Sequence, residues 1–444
     1  MFIKKYLLTG VLSCLLLPAW TQAAPVSKKV APEFTETPLL ISANAVRKVD
    51  PALRAFMQKV WAQSPAVQGA QAAVEAAQAR AEGAGRPIYN PSLALDAERT
   101  DINTGSIGFS QALDWNDKRG AQSRIADQEV QAASAGLTNT QQGIAVETLG
   151  ALTQYITAQE MQSLALRRSQ LMKGFIDTVK QRQAAGDMGA LEGTLAQVTY
   201  SEALMQQAAS ASELAEAEAA LQAVTGFVLG LGLTQWPQLP AELAPPPERV
   251  DSALLQSLPA LAVLRSRMEA AKSRIRLIER EGRADPTIGI RAGRDGVETL
   301  VGLSLEIPLF VRNNFKAEVR VAAHEAVGEE LVYRDAQRRA KARLDGSLGR
   351  FNNTSRAWGA WVATGQQAHR EQMNLLDQMW QAGELTATDF LIQAKQNIDT
   401  QVAATVLKGE VWQAAIAWLD ASGQIGSWLG FTLPVTSQTK NFGE

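Results

Sequence analysis

The sequence predicts a mainly α-helical fold with a small β part, in which an internal duplication repeats long antiparallel coiled-coil hairpins and gives four β-strands per chain. Three features support this prediction. Residues 117–185 and 315–381 contain no proline and are typical of very long helices. Each follows a pair of segments in which apolar and polar residues alternate, as in a β-hairpin. The same order of elements then occurs a second time.

The composition indicates a folded chain without a nucleic-acid partner. Hydrophobic residues make up 46% of the 444 residues and charged residues 20%, so the chain is not of the disordered class. Lys and Arg number 43 against 45 Asp and Glu, which gives a formal net charge of −2. No basic excess exists to neutralise phosphates, and we expect no binding to nucleic acid.

The first 23 residues are predicted to be a secretory signal peptide. Lys4 and Lys5 precede an apolar run over 6–17, and small residues end the segment at Ala23. The apolar run is too short to span a bilayer. The single cysteine, Cys14, lies within this run, and lipidation at this residue is an open alternative. Cleavage after Ala23 leaves a mature chain with no cysteine and therefore no disulfide.

The predicted segments form two similar halves. The signal peptide over 1–23 is followed by an extended N-terminal arm over 24–50. The first repeat covers 51–226, with a β-hairpin at 91–114 and a long helical hairpin at 117–224. After a Pro-rich linker over 227–252, the second repeat covers 253–423, with a β-hairpin at 286–308 and a long helical hairpin at 312–421, and an irregular C-terminal tail over 424–444 follows it. Each repeat opens with a helix. The turn of the first β-hairpin is predicted at 101–105.

Spacing rather than identity indicates the duplication. The matched pairs are Pro65 with Pro259 at an offset of 194 residues, Pro91 with Pro286 at 195, Gly108 with Gly302 and Ser110 with Ser304 at 194, Gly186 with Gly383 at 197, and Gly226 with Gly423 at 197. Strands, turns and helices recur in the same order. We therefore interpret the two halves as copies of one ancestral unit.

The strands predict a membrane barrel assembled from several chains. Beyond the signal peptide no segment has 18 uninterrupted apolar residues, so a membrane position would require a closed barrel. The strands have about nine or ten residues each, the length that crosses a bilayer at a tilt. Small single-chain barrels start at about eight strands, so four strands do not close. Three chains supply twelve, which predicts a trimeric 12-stranded β-barrel, and the long helices would continue it as an α-helical tunnel.

Four charged side chains on the strands lie on the polar phase of the alternation. They are Asp96, Glu98, Arg291 and Glu306. An arginine that faces lipid at the bilayer midplane costs about 2–4 kcal/mol. We therefore predict that these four side chains face the lumen or lie at the barrel ends. Leu303, Leu305 and Ile307 would face lipid, and Pro308 would end the last strand because it has no N–H to donate.

Catalytic and cofactor sites are not predicted. The two histidines, His324 and His369, are far apart on one helix, whereas a ligand pair needs neighbouring turns. No phosphate-binding loop and no G-x-S-x-G motif is present. We expect neither an enzyme nor a protein with a metal or organic cofactor.

The order helix, hairpin, long helix and return helix resembles that of the TolC-like outer-membrane efflux proteins, over nearly the whole mature chain. The junction from strand to helix carries the resemblance through Ile307, Pro308, Leu309, Phe310, Arg312 and Asn313. This form is most similar to the subgroup that serves heavy-metal efflux pumps of the cobalt–zinc–cadmium type. The sequence departs from the family's form in two places. Asn314 and Phe315 stand where the family usually has a glycine after Arg-Asn. In the first repeat, residues 114–119 occupy the corresponding junction and lack the proline.

The resemblance implies a homotrimeric channel-tunnel in the Gram-negative outer membrane, with a large periplasmic part. Its expected partners are outer-membrane lipid, a periplasmic adaptor (membrane-fusion) protein and an inner-membrane pump of the resistance-nodulation-division type. The channel would conduct substrate passively, and the pump would supply the energy. Heavy-metal cations are the expected cargo. The alternatives are an exit duct for organic compounds or type I secretion and, from a different class, a periplasmic coiled-coil scaffold without a pore.

The tips of the two helical hairpins carry acidic residues and predicted caps. Thr386 and Asp389 fit a capping box, and Gly189 and Glu192 occupy the corresponding places in the first repeat. Two further acids, Asp187 and Glu384, lie in the turns themselves and would place up to six carboxylates around the periplasmic mouth of a trimer. They would attract cations or dock the adaptor, or they are solvated turn acids favoured near a helix start.

Overall fold

The structure is a computed structural model that describes residues 50–99, 101, 103–228, 235–240, 243–247 and 253–431. The predicted signal peptide, the lipidation alternative at Cys14, most of the N-terminal arm, parts of the linker and the last residues of the tail lie outside the described residues.

The described residues form ten α-helices and four β-strands, and the chain runs through them in the order of two similar halves. The helices are α1 (Pro51–Gln63), α2 (Pro65–Ala84), α3 (Lys118–Ala184), α4 (Ala190–Thr225), α5 (Ala253–Ser257), α6 (Pro259–Glu281), α7 (Lys316–Ala360), α8 (Gln366–Gln381), α9 (Ala387–Ala421) and α10 (Ile425–Trp428). The strands are β1 (Ser92–Arg99), β2 (Asn103–Ala112), β3 (Thr287–Asp295) and β4 (Glu298–Glu306). A mainly helical fold with a small antiparallel sheet is thus confirmed.

Prolines and short polar side chains determine where the first helices begin. The Asp50 carboxylate accepts a hydrogen bond from the Ala52 N–H at 2.9 Å, and Pro51 occupies the first turn, where its missing N–H has no cost. Pro65 begins α2 in the same way, and the chain bends at Ser64 between the two helices.

Long helices make up most of the described mass. Helix α3 has 67 residues and is therefore about 100 Å long. Helix α4 returns along α3 after a short turn, α6 also packs on α3, and α9 packs on both α3 and α7. The result is an elongated arrangement in which each helix buries one stripe rather than contributing to a round core.

The second long helix contains a π-helical segment that the prediction of a single helix over 315–381 did not include. A π-helical turn, Trp361–Gly365, separates α7 from α8. A Cβ atom at Gly365 would overlap with the Trp361 ring, so the absence of a side chain there lets the indole fold over the widened turn. A π-turn of this kind disturbs the regular hydrogen-bond ladder without ending the helix.

The four strands form one antiparallel sheet in the order β1-β2-β3-β4. The predicted turn at 101–105 was wrong in part, because Asn103 already belongs to β2. The partner strand explains this extension. The Thr104 hydroxyl donates to the Asp295 carboxylate at 2.8 Å, and the Gly296 N–H donates to the Asn103 carbonyl at 3.0 Å. Pairing with β3, a segment remote in sequence, draws the predicted turn residues into the ladder.

The strand register corrects two of the matched pairs of the duplication. Ser92 pairs with Ser110 in the first hairpin, and Thr287 pairs with Glu306 in the second. If Pro91 corresponds to Pro286, then Ser110 corresponds to Glu306 at an offset of 196, not to Ser304 at 194. The same two-residue correction applies to Gly108. It preserves the face of every strand residue, because side chains alternate with a period of two.

The tail also differs from the prediction of an irregular segment over 424–444. Residues 425–428 form α10, and both Ile425 and Leu429 are fully buried. Phe431 packs against Trp61 with ring centroids 4.6 Å apart, and the Arg54 guanidinium lies over the Phe431 ring. These contacts come from α1, so burial against a distant helix orders this part of the tail.

Candidate channel surfaces, junction and helix tips

One face of the sheet is polar, and it carries all four predicted lumen-facing residues. The register places Asp96 opposite Ser106, Glu98 opposite Thr104, and Arg291 between two glycines on its neighbouring strands. Sequence analysis missed two further acids on this face, Asp295 and Glu298, which pair with each other beside the second hairpin turn. The alternation of β3 and β4 could have revealed both, because they continue the phase of Arg291 and Glu306.

The charge of this polar face is strongly unbalanced. Its charged side chains are the carboxylates of Asp96, Glu98, Asp295, Glu298 and Glu306 and the guanidinium of Arg291. Five acids therefore stand against one base on this face, while the other two arginines of the strands, Arg99 and Arg294, lie on the opposite face. A wall of this composition attracts cations and repels anions.

The opposite face of the sheet is apolar over most of its length and uncovered in the single chain, with Arg99 and Arg294 near the hairpin turns. Paired residues across the four strands are Leu95 with Ile107, Phe109 with Ile290, and Ile290 with Leu303. Leu303 is 85% exposed and Leu95 is 73% exposed. A contiguous exposed apolar surface of this kind marks a contact with lipid or with another protein. No helix among the described residues is long and apolar enough to cross a membrane.

The junction after β4 turns the chain from sheet to helix. Strand β4 ends at Glu306, two residues before Pro308, and Phe310 packs edge-on against Phe315 with ring centroids 5.4 Å apart. The Asn313 side-chain oxygen accepts the Phe315 N–H at 3.1 Å. Phe315 adopts a left-handed backbone with φ 56° immediately before α7. Ile307, Leu309 and Arg312 are exposed in the single chain.

A buried polar cluster joins the two repeats where the sheet meets the helices, and sequence analysis did not find it. The Asp285 carboxylate, which precedes β3, accepts hydrogen bonds from Asn116 Nδ2 at 2.8 Å and Tyr89 OH at 2.8 Å. Lys118 Nζ lies 2.9 Å from the same carboxylate and donates to the Arg283 carbonyl at 3.1 Å. We call Tyr89, Asn116, Lys118 and Asp285 the repeat junction cluster. Its members are too far apart in sequence for any local pattern to reveal them.

Electrostatics of the repeat junction cluster favour an ionised aspartate. Burial alone would raise the pKa of Asp285, but hydrogen bonds from Lys118, Asn116 and Tyr89 hold it below its ordinary value. The same surroundings act on Tyr89 in the other direction: burial and the hydrogen bond to Asp285 raise its pKa to about 12. Beside the cluster, Arg280 Nη1 contacts the Asp117 carboxylate at 2.6 Å, and this hydrogen bond lowers the pKa of Asp117.

The two helical hairpins end in matching turns. Gly186 and Gly383 both have left-handed backbones, with φ 83° and 78°. The next residue of each turn, Asp187 or Glu384, donates its N–H back to a carbonyl of the preceding helix at 2.9 Å. This is the hydrogen bond of a Schellman motif, which needs glycine at the left-handed position. Both acidic side chains are exposed.

The predicted tip caps lie at the starts of α4 and α9. The Thr386 hydroxyl accepts the Asp389 N–H at 3.1 Å and lies 2.6 Å from the Asp389 carboxylate. In the first repeat Gly189 precedes α4 and offers no side-chain cap. The Glu192 carboxylate folds back over it, since a Cβ atom at Gly189 would lie 2.8 Å from Glu192 Oε2.

An aromatic cluster brings the two acidic turns to the same end of the molecule. Phe175 of α3 stacks on Phe390 of α9 at 5.5 Å, and Phe390 stacks on Trp380 at 4.8 Å. The Arg182 guanidinium lies 4.7 Å from the centre of the Trp380 ring. Arg182 and Trp380 belong to the last turns before Asp187 and Glu384 respectively, so the packing fixes one turn beside the other.

The two histidines are not brought together. His324 is exposed on α7, whereas His369 packs against Trp361 at 5.9 Å. Burial lowers the pKa of His369, although a hydrogen bond with Gln401 opposes this effect. Among the residues that the structure describes, no three His, Cys, Asp or Glu side chains are grouped so that they could hold a metal ion.

Comparison with known proteins identifies the class of channel that this architecture resembles. Residues 56–227 match the family described as outer membrane efflux protein. The chain is 23% identical over 348 residues to the cobalt-zinc-cadmium resistance protein CzcC of Cupriavidus metallidurans, a match that covers 74% of this chain and 80% of CzcC. The resemblance to outer-membrane efflux proteins, and within them to a heavy-metal resistance protein, is thereby confirmed.

Solved structures share the fold. The outer-membrane channel OprN superposes with a TM-score of 0.71 at 17% identity, covering 86% of this chain and 91% of OprN. The Campylobacter jejuni CmeC outer membrane channel gives a TM-score of 0.70 at 12% identity, covering 84% of this chain and 86% of CmeC. At such identities the likeness establishes the architecture and leaves the cargo open.

Substitution of Asp285 tests the repeat junction cluster. We expect Asp285→Ala to lower the free energy of unfolding by about 3 kcal/mol, because it leaves buried Lys118 without its partner. For the isosteric Asp285→Asn the loss should depend on pH. An aspartate with a lowered folded pKa stabilises the protein above its unfolded value of about 4, and this contribution disappears as the pH falls through the folded pKa.

Thermal unfolding in detergent, followed by circular dichroism, measures this dependence. The difference between the wild type and Asp285→Asn should be constant at neutral pH and shrink to nothing in acid. Asp335→Asn is the matched control, since its carboxylate is also ion-paired, with the guanidiniums of Arg338 and Arg339, but on an exposed helix surface. An equal effect of both substitutions would contradict the role of burial.

Proposed function

We propose that this protein is the outer-membrane channel-tunnel of a tripartite efflux system, and that it passively conducts heavy-metal cations from the periplasm to the outside. The observation that carries the proposal is the sheet with one acidic and one apolar face, continued by helical hairpins about 100 Å long. A sheet with two such faces suits a barrel wall between lipid and water. The long hairpins suit a tunnel that reaches through the periplasm.

The sheet argues for assembly as a homotrimer. Strands β1 and β4 are the two edges of the sheet, and an open edge within a bilayer would leave backbone N–H and C=O groups without partners. Pairing β4 of one copy with β1 of the next satisfies these groups. Three copies give twelve strands, and their polar faces then enclose a common lumen in the outer membrane of a Gram-negative cell.

The heavy-metal cargo rests on two observations. The relative CzcC bears the name of a cobalt-zinc-cadmium resistance protein. Independently, the polar face of the sheet carries five carboxylates against one guanidinium, so a trimer would line its pore with a large excess of negative charge. The acidic turns at Asp187 and Glu384 would extend this preference to the periplasmic mouth.

In this proposal the partner proteins supply the energy for transport and deliver the substrate to the channel. An inner-membrane pump of the resistance-nodulation-division type and a periplasmic adaptor would bring substrate to the helix tips. The channel itself would make and break no covalent bond. An exit duct for organic compounds or for type I secretion would use the same architecture, and the acidic wall is the feature that favours cations over these cargoes.

A periplasmic scaffold without a pore fits the structure less well. The helical hairpins alone would suit a scaffold. The exposed apolar face of the sheet, however, would be costly in water, because side chains such as Leu95, Val301 and Leu303 are more than two-thirds exposed in the single chain.

Adjacent cysteine substitutions on β4 test which face of the sheet meets water. We expect Ser304→Cys to react with a membrane-impermeant thiol reagent in outer membranes and to lose conductance when modified, because its side chain faces the lumen. Leu303→Cys, the matched control one residue away, should stay unlabelled in lipid. Equal labelling of both positions would count against the barrel, and the chain without its signal peptide has no other cysteine to interfere.

Neutralising the acidic turns tests their role at the periplasmic mouth. We expect the double variant Asp187→Asn with Glu384→Gln to lower metal efflux several-fold, since it removes up to six carboxylates from a trimer. Efflux is measured as retained metal in loaded cells. Glu371→Gln, an exposed acid on α8 away from the turn, is the control. Unchanged efflux and unchanged adaptor binding would show that the two acids are solvated turn residues without a role in transport.

The cargo is tested by deleting the protein from its own cell. We expect the deletion strain to become sensitive to salts of zinc, cobalt or cadmium, with copper and silver measured in parallel, and to tolerate a detergent and a cationic dye as before. Minimal inhibitory concentrations before and after complementation give the readout. Sensitivity to the detergent and dye alone would replace the metal cargo with organic compounds.

A further inference from the structure

The contact that joins the two repeats within one chain offers a template for the contact between chains. Asn116 and Lys118, which follow β2, donate to Asp285, which precedes β3. This places a hydrogen-bonded clasp directly beneath the β2–β3 pairing. The clasp has a donor half, Asn116 and Lys118, and an acceptor half, Asp285. Because the chain is duplicated, each half should have a counterpart in the other repeat. The inference below rests on the proposed assembly into a ring of copies.

The donor half recurs after β4. The sequence Asn116-Asp117-Lys118 corresponds to Asn314-Phe315-Lys316, and in both the lysine is the first residue of a long helix. The central residue has a left-handed backbone in both, with φ 53° at Asp117 and 56° at Phe315. The Asn314 side-chain oxygen accepts the Lys316 N–H at 3.3 Å, which leaves its Nδ2 group to donate elsewhere.

The acceptor half recurs before β1. Asp285 directly precedes Pro286 and β3, and Asn90 directly precedes Pro91 and β1. Asn90, Asn314 and Lys316 are all exposed. Within the described part of the chain, neither the Asn90 side chain, the Asn314 Nδ2 group nor the Lys316 ammonium has a hydrogen bond or an ion pair.

The two halves cannot meet within one chain. Asn90 leads into β1 and Lys316 follows β4, and these strands are the opposite edges of the sheet. They would meet where β4 of one copy pairs with β1 of another. Transferring the β2–β3 register through the repeat offsets places Leu305 opposite Leu95 and Ser304 opposite Asp96, so the apolar and the polar faces both continue across the boundary.

We propose that a second clasp closes each boundary between copies, in which Asn314 Nδ2 and Lys316 Nζ of one chain donate to the side-chain oxygen of Asn90 in a second copy of this chain. The occupant of this surface is therefore the protein itself. The clasp differs from the internal one in a single respect: its acceptor is a neutral amide instead of a carboxylate. Both clasps contain a charge-assisted hydrogen bond from a lysine, but only the internal one pairs the ammonium with a carboxylate, so the clasp between copies is the weaker of the two.

Cysteine cross-linking tests the contact directly. In outer membranes that contain Asn90→Cys together with Asn314→Cys, a short bifunctional thiol reagent should give covalent dimers and trimers on a denaturing gel. Each single variant should remain a monomer on the same gel. Asn90→Cys with Asn116→Cys is a further control, because Asn116 lies beside Asp285 at the internal clasp, away from the boundary between copies, and should produce no ladder.

Charge substitution gives a second, independent readout. Asn90→Asp restores the carboxylate of the internal clasp and should raise the temperature at which the detergent-resistant trimer dissociates by several degrees. In a background of Lys316→Met the same substitution should give no gain, since the ammonium that it pairs with is gone. A gain of equal size in both backgrounds would overturn the pairing.

The outcomes separate this inference from the function on which it rests. A stable, conducting trimer that shows no cross-linked ladder and no effect of Asn90→Asp would overturn the clasp and keep the channel. A chain that forms no trimer and conducts no current in planar bilayers would overturn the channel, and the clasp with it. A ladder together with a stabilising Asn90→Asp supports both.

Discussion

The pairing of β2 with β3 is the constraint on which the rest of the structure depends. It joins the two repeats into one sheet over nine residue pairs, from Thr104 with Asp295 to Ala112 with Thr287. A slip by one residue would exchange the two faces of half of the sheet. The buried Asp285 carboxylate, clasped by Lys118 and Asn116, pins the end of this pairing where the strands give way to helices. Register and clasp together place all acidic strand residues on a common face.

The helices depend on the same junction for their direction. A left-handed residue precedes each long helix, Asp117 before α3 and Phe315 before α7, and turns the chain out of the sheet. At the far end Gly186 and Gly383 reverse it, and the stacked rings of Phe175, Phe390 and Trp380 hold the two hairpins side by side. The fold is thus fixed at its two ends by short irregular segments, and the long helices transmit that arrangement between them.

The two faces of the sheet and its open edges favour the same assembly. The exposed apolar face would be unfavourable in water and suits lipid, while the acidic face would be unfavourable in lipid and suits an aqueous lumen that conducts cations. The open edges β1 and β4 require partners, and the unpaired clasp residues beside them, Asn90 on one side and Lys316 on the other, suggest that the partner is another copy. In the proposed ring of chains in a membrane, each of these features would find its partner.

The sequence by itself determined the local features: the alternation that makes Leu303 apolar and Ser304 polar, the prolines that begin α1 and α6, and the glycines at 186 and 383 that end the long helices. These follow from backbone geometry within a few residues. The tertiary structure alone decided the buried Asp285–Lys118 pair, the extension of β2 to Asn103, the helical turn at Ile425 and the π-turn at Trp361. The first three depend on partners more than a hundred residues away, and the last on how one indole ring packs over Gly365, so no local pattern encodes them.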